Sequence, residues 1–206
     1  MIYDLAHRNV ALLVVDVQRE YFDEAGPAFV PAAAARLGAI NALIEGFRAI
    51  GAVVVQIRHA HRADGSDAGR MGDFLPEDEE DSFVEGSERV EFAEGLAVAP
   101  SDVVVTKNRY DAFAGTDLDL VLRGLGIRAV VVCGFMTSFC CTSTTRTAHT
   151  LDYETLFVRD AIDGPDLERV DGSEYPHDAV LDDTCAMLAA GFAEIVTTTE
   201  VFNRLI

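Results

Sequence analysis

The sequence predicts an α/β protein, a three-layer α/β/α Rossmann-like sandwich around a six-stranded, mainly parallel sheet. Three observations carry this. Short apolar runs alternate along the chain with stretches of helical spacing. The runs are apolar throughout rather than at every second position, so both faces of each strand are buried, as in a parallel sheet covered by helices on both sides. Half of the 206 residues are hydrophobic, enough for a sizeable core.

The first strand is VALLVV at 10–15. Pro31 opens a helical run at 32–50, with Gly51 just past its end. AVVVQI at 52–57 is the second strand. Residues 59–100 follow, long, polar and rich in Asp, Gly and Glu, and long loops of that kind are usually functional or mobile. VVVT at 103–106 is the third strand. TDLDLVLR at 116–123 is a helix, with Thr116 as N-cap and Gly124 behind its last turn. AVVVC at 129–133 leads into a helix at 138–150, TLFV at 155–158 into one at 178–190, and EIVT at 194–197 is the sixth strand. No repeat, low-complexity tract or linker interrupts the chain, so 1–206 reads as one domain.

Composition excludes some functions. Thirty-five acidic residues stand against 16 basic ones, a net charge of -19. Phosphate contacts need Lys or Arg, so nucleic acid and anionic membranes are not expected partners, and a small molecule is. The N-terminus lacks a basic, apolar and small-residue series in order, and the run at 10–15 is too short to span a bilayer. A cytoplasmic location is expected. Cys133, Cys140, Cys141 and Cys185 match neither a zinc motif nor a disulfide framework, so free thiols are expected.

In parallel sheets the ligand crevice lies beyond the carboxyl ends of the strands. Just past those ends stand Asp16, then Arg58, His59 and His61, then Lys107, then Cys140 and Cys141, then Asp160. Each alone has a bland explanation: a turn-forming Asp, a solvated Lys, a small core Cys. Together they form a reactive set. A helix N-terminus and a cation both lower a thiol's pKa, so Cys140 in a first helical turn near Lys107 is expected to ionise readily. Asp16 can take the thiol proton and return it to a leaving amine. Backbone N–H groups between Gly134 and Cys140 can hold an oxyanion. These parts suffice to hydrolyse an amide through a thioester that Asp16-activated water then clears. A redox pair of Cys140 and Cys141, or a silent binding module, remains an alternative at this point.

At these residues the sequence resembles the isochorismatase-like cysteine hydrolase superfamily, over nearly the whole chain. The motifs are VVDVQ at 14–18, the Lys107, Tyr110, Ala112 and Phe113 string, GFMTSFC at 134–140, and the Asp160-Ala161 pair. The resemblance implies Asp16 as general base and acid, Lys107 as electrostatic helper and Cys140 as nucleophile. It also implies a cis peptide at Phe135–Met136, an oxyanion hole of the Met136 and Cys140 N–H groups, and a homo-oligomer, dimer or tetramer. Cys141 falls where the family has an apolar residue, and one helical residue is a rotation of about 100°, so the two thiols cannot share an orientation.

Departures narrow the expected chemistry. The resemblance implies that members cleaving the vinyl ether of isochorismate lack this Cys, so its presence favours amidases of the carbamoylsarcosine-amidase and ureidoacrylate-hydrolase type. Nicotinamidases carry Asp-x-His after the second strand and hold a metal; here the chain reads Arg58-His59-Ala60-His61, and neither metal nor other cofactor is expected. The loop RHAHRADGSDAGR at 58–70 is a candidate anion patch. Gln18, Arg58, His61 and Tyr110 are candidate substrate contacts, and Phe22, Phe113 and Phe135 a candidate apolar wall. The stretch 164–177 is longer than typical, a lid or a surface insertion. The expected function is a metal-independent cysteine amidohydrolase acting on a small amide, ureido or carbamoyl compound. The alternative is hydrolysis of an ester, lactam or isochorismate-like molecule on the same fold.

Overall fold

The computed structural model describes residues 3, 5, 9–74 and 82–205, except the side chains of 72 and 74. Its centre is a six-stranded sheet of β1 (Val10–Val15), β2 (Val53–His59), β3 (Val103–Lys107), β4 (Ala129–Phe135), β5 (Glu154–Asp163) and β8 (Glu194–Val196). The spatial order is β3-β2-β1-β4-β5-β8, and every neighbouring pair is parallel. β6 (Leu167–Glu168) and β7 (Glu174–Tyr175) form a separate antiparallel hairpin in the 164–177 stretch. That hairpin is bound to itself and, through Tyr175 and Asp183, to the helix α4 (His177–Ala189) that follows.

The apolar alternation of β1 divides the core. Val10, Leu12 and Val14 pack on one face with Ile40, Leu43, Ile44 and Phe47 of α1 (Ala33–Ala49) and Val201 of α5 (Thr198–Leu205). Ala11, Leu13 and Val15 pack on the other with Leu118 and Leu122 of α2 (Leu118–Gly124), Ala148 of α3 (Thr142–Thr150) and Leu181, Cys185 and Leu188 of α4. Burying each such Val or Leu contributes about 1.5–3 kcal/mol, so the two-sided core holds the sheet firmly and lets its rim depart from regular structure. No described helix is long and apolar enough to cross a membrane.

The irregularities gather where the strand order reverses, between β1 and β4. β4 and β5 run in register to Val132↔Phe157, then resume at Gly134↔Ile162, so β5 carries an excursion at 158–161. Gly134 has φ +115°, and a Cβ there would meet the Val15 carbonyl oxygen at 2.0 Å, so only glycine fits against β1. The next peptide, Phe135–Met136, is cis. Thr137–Cys141 then forms one π-helical turn instead of the first turn of the expected α-helix, and α-helix begins at Thr142.

Candidate active site

Three strand ends bring the reactive side chains together. Asp16 follows β1 at φ +51°, a conformation that Asp tolerates better than most residues, and its N–H is held by the Ile57 carbonyl at 3.0 Å. Lys107 ends β3, and Cys140 sits in the π turn. Lys107 Nζ is 2.7 Å from Asp16 Oδ2 and 3.3 Å from Cys140 Sγ, and it also donates to the Arg109 carbonyl at 3.0 Å. All three side chains are buried. A ring nitrogen of His59, at the end of β2, lies with an oxygen of Asp16 and Sγ of Cys140 inside a triangle of sides no longer than 4.8 Å.

Burial sets the protonation states. It pushes the Cys140 thiol up to about 12. Lys107 pulls the other way, but the Asp16 charge beside it cancels much of that pull. Burial thus opposes the expected easy ionisation: a cation already paired with a carboxylate activates a thiol weakly, even though the π turn runs directly into α3. Asp16 is itself raised by burial, against the lowering effect of Lys107, and Oδ1 has no well-aligned hydrogen-bond donor. Lys107 is raised, because the Asp16 and Cys140 charges outweigh its own desolvation. At rest the site is a neutral thiol beside a buried ion pair whose carboxylate is an unusually good base.

Other expected residues fall elsewhere. Gln18 is a backbone clamp, not a substrate contact: its amide nitrogen donates to the His59 and Val90 carbonyls at 2.9 and 2.7 Å, and its oxygen accepts the His59 N–H at 2.8 Å. Arg58 leaves β2 on the face opposite His59, bonding Thr106 and lying 4.0 Å from Glu91, so it is not an anion binder at this site. Phe113 is core, stacked on Tyr153. Phe135 is also core, between Tyr21 and Phe22 at 5.7 and 5.8 Å. Asp160 caps α5 through the Thr198 N–H at 2.8 Å. Phe22 is half-buried beside Phe135, and Tyr110 rests on Phe139 at 5.4 Å.

His61 approaches the site, its Nε2 2.9 Å from that of His59 and its Nδ1 3.5 Å from Asp67. Cys141 is buried in the core beneath α3. Met136 is half-buried at the turn, its carbonyl accepting from the Phe139 and Cys141 N–H groups. Two neighbours had no sequence signal: Tyr21, whose own pKa is pushed well up by burial and by the Cys140 and Asp16 charges, and Phe83, which stacks on His59. His59 carries one, its place where the second apolar run gives out, although the sequence points to His61 as the substrate contact.

The donor set does not suit a resident metal. Of the donors that converge, Asp16 and Cys140 already face the Lys107 ammonium at 2.7 and 3.3 Å, and like charges at that range repel strongly in a buried site. The His59 and His61 Nε2 atoms are engaged with one another at 2.9 Å, so neither of those two nitrogens is available to an ion. A cavity of about 140 Å³ adjoins Lys107, lined by Ala60, Arg62, Asp67, Glu85, Thr106, Asn108 and Gly115.

A six-stranded parallel sheet with an acid, an ammonium and a thiol gathered at its switch point defines a layered α/β protein with a candidate site at its rim. The chain belongs to the isochorismatase family: the Isochorismatase domain matches residues 10–200. It is similar to the ureidoacrylate amidohydrolase RutB of Azorhizobium caulinodans, 30% identical over 175 residues that cover 76% of this chain and 77% of that one. It is similar to nicotinamidase 3 of Arabidopsis thaliana, 30% identical over 196 residues, 95% of this chain and 88% of the relative. Among solved structures, a cysteine hydrolase from Pseudomonas syringae pv. phaseolicola 1448A superposes with a TM-score of 0.91 at 33% identity, covering 96% of this chain and 92% of that one.

Proposed function

We propose that the protein is a cysteine amidohydrolase that cleaves a C–N bond in a small amide, ureido or carbamoyl compound through a thioester on Cys140. The carrying observation is Lys107 Nζ held 2.7 Å from Asp16 and 3.3 Å from Cys140 Sγ, with all three side chains buried. The named activities of the relatives, ureidoacrylate amidohydrolase and nicotinamidase, support the bond type. The donor mismatch for a metal favours open-chain ureido or carbamoyl substrates over a ring amide oriented by an ion.

In this reading Asp16 takes the Cys140 proton as sulfur attacks the carbonyl carbon. Lys107 stabilises the negative charge passing between the two. The Met136 and Cys140 N–H groups receive the oxyanion, a contribution of about 10²–10³ in rate for one donor. Collapse breaks the C–N bond, and Asp16 hands its proton to the leaving nitrogen. Water then hydrolyses the thioester. Tyr110 and His61 remain the proposed substrate contacts, with Phe22 on the apolar side. Cys141 lies in the core away from solvent, which disfavours a working redox pair.

The test is ammonia or amine release across a panel of amide, ureido and carbamoyl compounds, with intact-protein mass spectrometry. An acyl adduct on Cys140 and no release by the Cys140→Ala variant are expected. Release by Cys140→Ala at the wild-type rate would sink the reading.

A further inference from the structure

The apex of the triangle with Asp16 and Cys140, His59, is held more tightly than a packing residue needs. Its backbone N–H and carbonyl are both gripped by Gln18. Its ring lies on Phe83, centroids 4.7 Å apart and planes 18° apart. The charge beyond it favours one tautomer. Asp67 accepts from the Arg62 N–H and the Asn108 amide, which hold its carboxyl below the ordinary value, so it is an ionised acceptor. His61 Nδ1 lies 3.5 Å from that carboxylate without an aligned hydrogen bond, and the tautomer that turns its N–H toward the negative charge leaves Nε2 to accept. In that tautomer His59 Nε2, 2.9 Å from His61 Nε2, donates, which leaves His59 Nδ1 with a lone pair. Burial and the nearby Lys107 charge hold His59 well below its ordinary pKa, so the ring stays neutral.

We propose that His59 is a fourth catalytic residue: with Asp16 it seats the water that hydrolyses the thioester on Cys140. This rests on the thioester reading above. A water donating two hydrogen bonds of about 2.8 Å at its own near-tetrahedral angle ends on acceptors about 4.5 Å apart. An Asp16 oxygen and a His59 ring nitrogen lie no more than 4.8 Å apart, a limit that admits that separation, and Cys140 Sγ lies within the same limit. The water's lone pair then faces the acyl carbon. One O–H is held by His59. The other proton passes to Asp16, ionised again after protonating the leaving nitrogen, as the oxygen bonds to carbon. The C–S bond breaks, its electron pair returns to sulfur, and Asp16 returns the proton to the thiolate. The acid leaves with the water's oxygen and its second hydrogen.

The experiment follows p-nitrophenyl acetate with wild type, His59→Phe and His59→Gln, by stopped-flow absorbance and intact mass. Phe keeps the stack on Phe83 and removes the acceptor; Gln restores one. His59→Phe should release one equivalent of p-nitrophenolate per Cys140 at close to the wild-type rate, then turn over about 100-fold more slowly with the acetyl adduct accumulating. His59→Gln should recover part of the second phase, and hydroxylamine, which attacks thioesters without a base, should restore turnover to His59→Phe. Acylation and deacylation slowed together in both variants, or deacylation unchanged in His59→Phe, would overturn the assignment. Wild type that never acylates at Cys140 would remove the thioester reading and this inference with it; wild type that acylates beside an unaffected His59→Phe removes the inference alone.

Discussion

Two buried carboxylates at opposite ends of the sheet face opposite environments. Asp102, just before β3, is saturated with donors: the Arg48 guanidinium, the Gln56 amide at 3.0 Å and the Ala99 N–H at 3.1 Å. Those partners hold its carboxyl below the ordinary value. Asp16, just after β1, has one ammonium, no well-aligned donor on Oδ1, and a raised value. The first arrangement stabilises charge for the sake of the fold. The second leaves a carboxylate able to accept a proton, at a cost in stability that the surrounding core offsets. Volume points the other way: a cavity of about 400 Å³ opens at the amino end among Leu5, Asn9, Val10, Ile50 and Ile127, and none of the described residues that line it is titratable.

Exchanging the acid for an amide at each end breaks the comparison most sharply. Asp16→Asn should lower turnover about 10⁴-fold or more, as Cys140→Ala should, because the thiol loses its proton acceptor. Asp102→Asn should leave kcat within twofold or so, since no reacting atom is near. Steady-state rates on one substrate decide it, and equal losses in the two variants would mean the contrast is not catalytic.

The switch point is the next place to strike. Gly134→Ala forces a Cβ onto the Val15 carbonyl at a φ that L-residues avoid. A loss above about 4 kcal/mol, or no soluble protein, is expected. Removing the saturated partner is milder: Asp102→Ala leaves Arg48 and Gln56 without their acceptor and should cost about 3 kcal/mol in urea unfolding.

The strand interiors were legible because hydropathy alone reports a buried parallel strand. Strand ends were not. β2, β3 and β5 run on to His59, Lys107 and Asp163, through residues whose charge reads as loop. Had β2 been carried two residues further, its period of two would have put His59 on the Ile57 face and Arg58 on the other. Asp16, Lys107 and Cys140 can be nominated from the sequence because each lies at or shortly beyond the end of an apolar run. Gln18, Phe113 and Phe135 were misread because their roles depend on partners that are distant in sequence, Val90, Tyr153 and Tyr21. The helix α5 and the hairpin of β6 and β7 passed unread, being short and polar.

The smallest expected effect is also the most diagnostic, because its sign differs between the two carboxylates. Asp16 binds its proton more readily in the folded state than at the ordinary 3.8 of the unfolded chain. Its contribution to stability therefore grows as pH falls from the raised value to 3.8 and is constant below. Asp102 has a depressed value, so its contribution is complete above 3.8 and is lost as pH falls through the folded pKa. Urea titrations of wild type, Asp16→Asn and Asp102→Asn across the acid range separate the two by subtraction. The wild-type minus Asp16→Asn difference should rise on acidification before the Asp102→Asn difference begins to fall. The same protonation removes the base, so the acid limb of kcat/KM should lie above 3.8 and disappear with Asp16. Two difference curves of the same sign would show that burial does not distinguish the carboxylates, and the assignment of Asp16 as the proton acceptor would lose its physical basis.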